Sequence, residues 1–180
     1  LFASIVLHEL AHALMARRHG LPMKGITLFI FGGVAEMEAE PRSGKVESLT
    51  AVVGPIASVA IALACFGLYW AGLQWGWPTA VNGVLNYLGL INLVLVAFNV
   101  IPAFPLDGGR ILRAALWGWT GNLHWATRVS AAIGSAFGLL LIILGCLVFT
   151  TGAFIGGLWW FLIGMFLRSA AQMSYQQLLV

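Results

Sequence analysis

The sequence predicts an all-α polytopic membrane protein. It has about five visible transmembrane helices, six with a missing N-terminal one, plus a small membrane-associated β-hairpin. Three observations predict this class. Hydrophobic residues make up 61% of the 180 positions and charged residues only 8%, whereas a soluble domain carries roughly 25% charged residues. The apolar residues gather into runs that mostly approach the ~20 residues needed to cross the hydrocarbon core. The nine Lys and Arg residues fall only in alternate connections between those runs.

The first run, Leu1–Ala16, closes on Arg17, Arg18, His19 and Gly20, cations and then glycine, which is a helix C-terminal signal. Lys24–Glu40 has a different period. Ile26, Leu28 and Ile30 alternate with Thr27, Phe29 and Phe31, and a second alternation runs Val34–Glu40 after Gly32-Gly33. Two period-two runs around a Gly-Gly pair read as a β-hairpin over 24–40. Glu36, Glu38 and Glu40 read as its solvated face. The further apolar runs are about Leu49–Trp70, Val84–Val100, Val129–Phe149 and Ala153–Leu167. Residues 107–122 read as a cytoplasmic connection, and the whole of 1–180 as one transmembrane core.

Arg17, Arg18, Lys24, Arg42 and Lys45 lie between the first two helical runs. Arg110, Arg113 and Arg128 lie between the third and fourth, and Arg168 closes the fifth. The two other connections, 71–83 and 150–152, carry no charge. The positive-inside rule therefore puts the charged loops and the C-terminus in the cytoplasm. Trp70, Trp75 and Trp77 mark the far interface, and Trp117, Trp119 and Trp125 the near one. The net charge of +3 is spread too thinly to form a basic stripe, so no nucleic-acid partner is expected. Cys65 and Cys146 sit inside apolar runs and form no disulfide framework.

Chemistry enters at His8-Glu9-Leu10-Ala11-His12. Histidines four apart on a helix share a face, so both imidazoles can reach one ion, with Glu9 placed to take a proton from an attacking water. Ionisable residues at membrane depth are costly, on the order of 2.5–3.5 kcal/mol each on insertion scales, and by default functional. Two His ligands leave a catalytic zinc one protein ligand short. Of the six acidic residues, Glu9 is in the motif and Glu36, Glu38, Glu40 and Glu47 belong to the charged first loop. Asp107 remains, after Pro102 and Pro105 and before Gly108-Gly109. Its alternative reading is an N-cap for the following helix or a partner for Arg110. Asn99 could donate to a developing oxyanion, or else make an interhelical hydrogen bond as Asn92 would. His124 is assigned no role. A divalent-metal transporter or a zinc-binding scaffold without proteolysis is the alternative function, but transporters commonly show paired broken helices in repeated halves. This chain shows one broken region.

His8-Glu9-x-x-His12 followed by Asn99, Pro105, Asp107 and Gly108 resembles the site-2 protease family of intramembrane zinc metalloproteases. Gly32-Gly33-Val34 and Gly54-Pro55 are similar to further family features. Ser58 departs from the pattern, standing where many members have Asn, and receives no polar role. Gly54 is left as a small residue for close helix packing. The resemblance implies one Zn2+ per chain held by His8, His12 and Asp107, with Glu9 catalytic; the catalytic reading of Asn99 rests on its amide alone. The substrate would be the transmembrane segment of a membrane protein, unwound and paired with the 24–40 hairpin, in the cytoplasmic membrane of a prokaryote. A further helix is expected before Leu1. The tail resembles the lead into CBS domains in one branch of the family.

Charge placement yields a topology test. Single cysteines at Lys45 and at Thr120, in a background without Cys65 and Cys146, are expected to react with an impermeant thiol reagent only from the cytoplasmic side. One at Thr79 is expected to react only from the other. Labelling of Lys45 and Thr120 from opposite sides would overturn the assignment.

Overall fold

The computed structural model describes residues 1–21, 23–29, 32–37, 41 and 43–177. Its elements run α1 (Phe2–Arg18), β1 (Met23–Phe29), β2 (Gly32–Met37), α2 (Gly44–Gln74), α3 (Thr79–Asn99), α4 (Asp107–Thr120), α5 (Leu123–Thr150) and α6 (Phe154–Gln177). Among the described residues, four helices are long and apolar enough to cross a membrane: α2, α3, α5 and the Phe154–Ser174 part of α6. The protein is thus a helical, polytopic membrane protein. α1, expected as a further span, has 17 described residues, about 26 Å at 1.5 Å each, and is not among these four.

Burial is inverted relative to a water-soluble helix. In α1 the covered residues are Ser4, His8, Glu9, His12, Ala13 and Ala16, while Phe2, Leu7, Leu10 and Leu14 are exposed. With hydrocarbon as the solvent, apolar side chains need no protein partner, and polar ones must find theirs inside. α3 repeats the inversion, burying Asn82, Gly89 and Asn92.

Strands β1 and β2 pair antiparallel, with Phe29 opposite Gly32, Leu28 opposite Gly33, Thr27 opposite Val34 and Ile26 opposite Ala35. Gly32 and Gly33 therefore lie within β2 rather than forming the turn between the strands. The register shifts between Met23 and Gly25, an irregularity of the kind a β-bulge makes. The expectation for Glu36, Glu38 and Glu40 falls outside the described side chains.

The chain divides into two compact units. The first comprises residues 1–42 and 49–100, hence α1, the two strands, most of α2, and α3. Within it, Asn92 on α3 donates through Nδ2 to Ser4 Oγ on α1 at 3.1 Å. A Cβ at Gly89 would meet the Phe66 ring of α2 at 2.7 Å. The second unit comprises residues 43–48 and 101–180, hence the first turn of α2 with α4, α5 and α6. Here α5 and α6 approach backbone to backbone. A Cβ at Gly138 would meet Gly164 O at 2.7 Å, and one at Gly145 would meet Gly157 O at 2.8 Å. Small residues permit this contact, where dispersion replaces the missing hydrophobic drive.

Residues 107–122, expected as a connection, contain the helix α4. It buries Asp107, Gly108, Gly109, Arg113 and Ala114 and ends on Gly121 at φ 68°, a left-handed cap that glycine adopts without strain. Asn122 then caps α5 by accepting from Trp125 N at 3.0 Å. Glu47, expected in a charged loop, is instead a fully buried residue of α2 that binds Arg113 of α4. The loop expectation failed because α2 begins five residues earlier than its apolar run.

Candidate metal centre

The centre begins with α1. His8 and His12, one turn apart, are both 3% exposed, and their rings meet edge to face with centroids 4.8 Å apart. Their Nε2 atoms face each other at 3.1 Å. Each Nδ1 is engaged by α2. His12 Nδ1–H donates to the Thr50 carbonyl at 2.7 Å, and since a carbonyl only accepts, the neutral ring keeps its lone pair on Nε2. His8 Nδ1 lies 2.8 Å from Ser58 Oγ, and Ser58 is fully buried. A serine hydroxyl can accept from Nδ1–H, which again leaves Nε2 unprotonated.

Two converging imidazole lone pairs fit a zinc ion. At Zn–N distances of about 2.0–2.1 Å, tetrahedral geometry sets two nitrogens on the order of 3.3 Å apart. Engagement of the opposite ring nitrogen by an oxygen is the usual means of fixing a metal-ligating histidine. Glu9, next in sequence and also buried, is a carboxylate carried by the same helix.

α2 makes this possible through one face. Thr50, Gly54 and Ser58 recur at four-residue spacing, so they lie one above another. A Cβ on Gly54 would collide with His12 Nε2 and Cε1, and would lie 2.7 Å from His8 Nε2. Glycine is thus required by the two imidazoles themselves, a stronger demand than the close helix packing expected for it. Ser58, assigned no polar role from the sequence, is corrected on the same evidence, because its hydroxyl holds His8. Pro55, inside α2, has no N–H for the carbonyl four residues back and displaces it sterically.

The other expected site residues are placed as follows. Asp107 belongs to the second unit, is 7% exposed, and is the first residue of α4 behind the N-cap Leu106. The N-cap reading of Asp107 is therefore set aside. Two short turns precede it, Ala103 N donating to Ile101 O at 2.7 Å and Leu106 N to Ala103 O at 2.9 Å. Asn99, half-buried at the end of α3, donates through Nδ2 to Leu95 O of its own helix at 3.0 Å. His124 is exposed on α5. Sequence reasoning missed Thr50 and Ser58 as holders of the imidazoles. Thr50 acts through a backbone atom, which carries no residue signature. Ser58 was findable, as a polar residue four positions from a glycine in an apolar helix.

The chain matches the profile of Peptidase family M50 over residues 1–76 and 75–145. It is 40% identical over 174 residues to a protein of Synechocystis sp. that carries a zinc-metalloprotease designation, covering 97% of this chain and 45% of that protein. A zinc metalloprotease of Methanocaldococcus jannaschii is 39% identical over 149 residues, 82% of this chain and 42% of that one. The chain thus spans less than half the length of these curated relatives. Among solved structures it is similar to the site-2 protease from Methanocaldococcus jannaschii, with a TM-score of 0.74 and 32% identity, over 97% of this chain and 74% of that one.

Gly54→Ala should lower zinc content after purification although no ligand is removed. Gly67→Ala, at an open position of the same helix, should leave it at the parent level. Ser58→Ala should weaken zinc affinity by about 10–100-fold, read by chelator competition. Parent-like zinc binding in Gly54→Ala would refute the close fit described.

Proposed function

Because the chain belongs to peptidase family M50, the site-2 protease family, we propose that it is the core of an intramembrane zinc metalloprotease that cleaves the transmembrane segment of membrane-protein substrates. The observation that carries this reading is the pair of buried imidazoles with Nε2 atoms 3.1 Å apart and Glu9 beside them. The ligands are His8, His12 and Asp107, all buried, holding one ion per chain. Two neutral imidazoles and one carboxylate are a ligand set that leaves a fourth position for water or substrate.

Zinc, when bound, supplies Lewis acidity toward the scissile carbonyl and lowers the pKa of the attacking water. Glu9 removes the proton from that water as it attacks, and returns it to the departing amide nitrogen. Asn99 donates an amide hydrogen to the oxygen on which negative charge develops. That role requires its Nδ2 to turn from Leu95 O or to use its second hydrogen. Burial keeps bulk water from competing with these groups and strengthens each electrostatic interaction.

A peptide bond inside a transmembrane helix is sequestered by its own hydrogen bonds, so the substrate must be locally unwound. β1 and β2 form a two-stranded sheet among the described residues, so each strand has an outer edge to which an extended substrate could add. The site faces the cytoplasmic side of a prokaryotic plasma membrane, the side that the cationic loops mark.

Glu9→Gln should abolish cleavage of a membrane-inserted peptide while zinc stays bound, whereas Asp107→Ala should lower zinc content, and Asn99→Ala should lower kcat by about 10²–10³-fold with zinc retained. Residual cleavage in Glu9→Gln near the parent rate would sink the assignment of the base.

For the sheet, proline at Phe29 or Val34 removes a ladder donor and should slow turnover with zinc content unchanged. Unchanged turnover of a full-length membrane substrate would count against strand addition.

A further inference from the structure

Asp107 follows a turn whose centre is Phe104, and the second unit grips that turn from several sides. A Cβ on Gly109 of α4 would overlap Phe104 N, and one on Gly134 of α5 would overlap Phe104 O. The backbone of Phe104 is therefore packed against both helices. Its ring lies under the Arg113 guanidinium, with Cζ 5.2 Å from the ring centroid. Arg113 is itself fixed, donating from Nε to Glu47 Oε1 at 2.6 Å, with Nη2 at 2.5 Å from the same oxygen. Glu47 is 0% and Arg113 7% exposed. At the same end of α2, a Cβ on Gly44 would meet Ala114 O at 2.7 Å, so α2 and α4 are in close contact there.

A buried ion pair is a costly way to join two helices, since apolar residues of similar volume would do as well or better for stability. Charges in membrane proteins mark function by default. What the pair provides, and an apolar contact would not, is direction. Two N–H groups on one carboxylate oxygen fix the plane of the guanidinium, whose charge then sits over the Phe104 ring. The ring sets the turn Ile101–Leu106, and the turn sets the first residue of α4.

We propose that Arg113, held by Glu47, is a positioning residue for Asp107: through Phe104 it fixes the turn that aims the carboxylate. This rests on the reading of Asp107 as a zinc ligand. Arg113 is given the role of a positioning residue, acting through that turn. The proposal extends the role of the Asp107 segment to a residue of α2 sixty positions earlier in the chain, Glu47.

Zinc affinity by competition with a chromophoric chelator, on the full-length protein in detergent, tests this in four proteins: parent, Asp107→Ala, Arg113→Gln and the double variant. Arg113→Gln should weaken zinc binding by about 10–100-fold and should add almost nothing to Asp107→Ala, because its route to the metal is already gone. Arg113→Lys keeps a charge for Glu47 but loses the planar fork, and should fall between parent and Arg113→Gln. Should Arg113→Gln fail to fold, Arg113→Lys with and without Asp107→Ala carries the same comparison. Parent-like zinc affinity in Arg113→Gln overturns the proposal, as does an equal fold-loss in the presence and absence of Asp107→Ala. If Asp107→Ala alone binds zinc like the parent, the ligand assignment has failed and this inference fails with it. A weakened Asp107→Ala beside an additive Arg113→Gln sinks the positioning role alone.

Discussion

Two imidazole nitrogens 3.1 Å apart in an apolar interior repel if both carry lone pairs, and the arrangement persists only where something compels it. Here α2 does. The Thr50 carbonyl accepts from His12, the Ser58 hydroxyl meets His8, and the missing side chain of Gly54 leaves the volume that the rings occupy. The three positions follow one stripe of a single helix, so a change in the rotation of α2 would remove all three supports together. That stripe constrains everything near it. α1 must present positions 8 and 12 to α2, which leaves Leu7, Leu10 and Leu14 facing outward. An outward apolar face is tolerable because lipid, rather than water, is the solvent.

The same stripe continues toward the start of α2, where Glu47 precedes Thr50 by three residues. Glu47 belongs to the other unit and binds Arg113 there. One helix thus carries the partners of both histidines and, in its first turn, the partner of Arg113. The energetic logic differs between its two ends. At Thr50 a neutral hydrogen bond sets the tautomer of His12, and at Ser58 another holds the ring of His8, at a net contribution of about 0.5–1.5 kcal/mol each. At Glu47 a buried charge pair carries a large desolvation penalty that its mutual attraction only partly offsets, and removing one member alone would cost about 3–5 kcal/mol. Such a contact contributes geometry more than stability.

Elsewhere the fold relies on absence of side chains. Gly138 with Gly164 and Gly145 with Gly157 bring α5 and α6 to backbone contact, and Gly134 admits the Phe104 carbonyl. Buried Thr127 and Ser130 on α5 fit the same pattern of polar and small residues turned inward and large apolar ones turned out. In a bilayer this is the expected economy: van der Waals fit between helices must supply what water would otherwise drive.

The amino-acid sequence by itself determined the membrane class and the approximate positions of the long helices, and it singled out His8, Glu9, His12 and Asp107 as candidate site residues. Each of these is a matter of composition, period or chemical type. Hydrocarbon solvent demands long apolar runs, a helix aligns residues four apart, and few side chains can bind zinc. Tertiary structure alone decided what holds the histidines, since a backbone carbonyl such as Thr50 O exists at every position and becomes a partner only where a neighbouring helix brings a donor to it. It also decided that Glu47 is a buried ion-pair partner rather than a loop charge, and that Gly32-Gly33 lies in a strand rather than in a turn. Burial and strand register are properties of contacts between distant segments, and local sequence preference does not encode them.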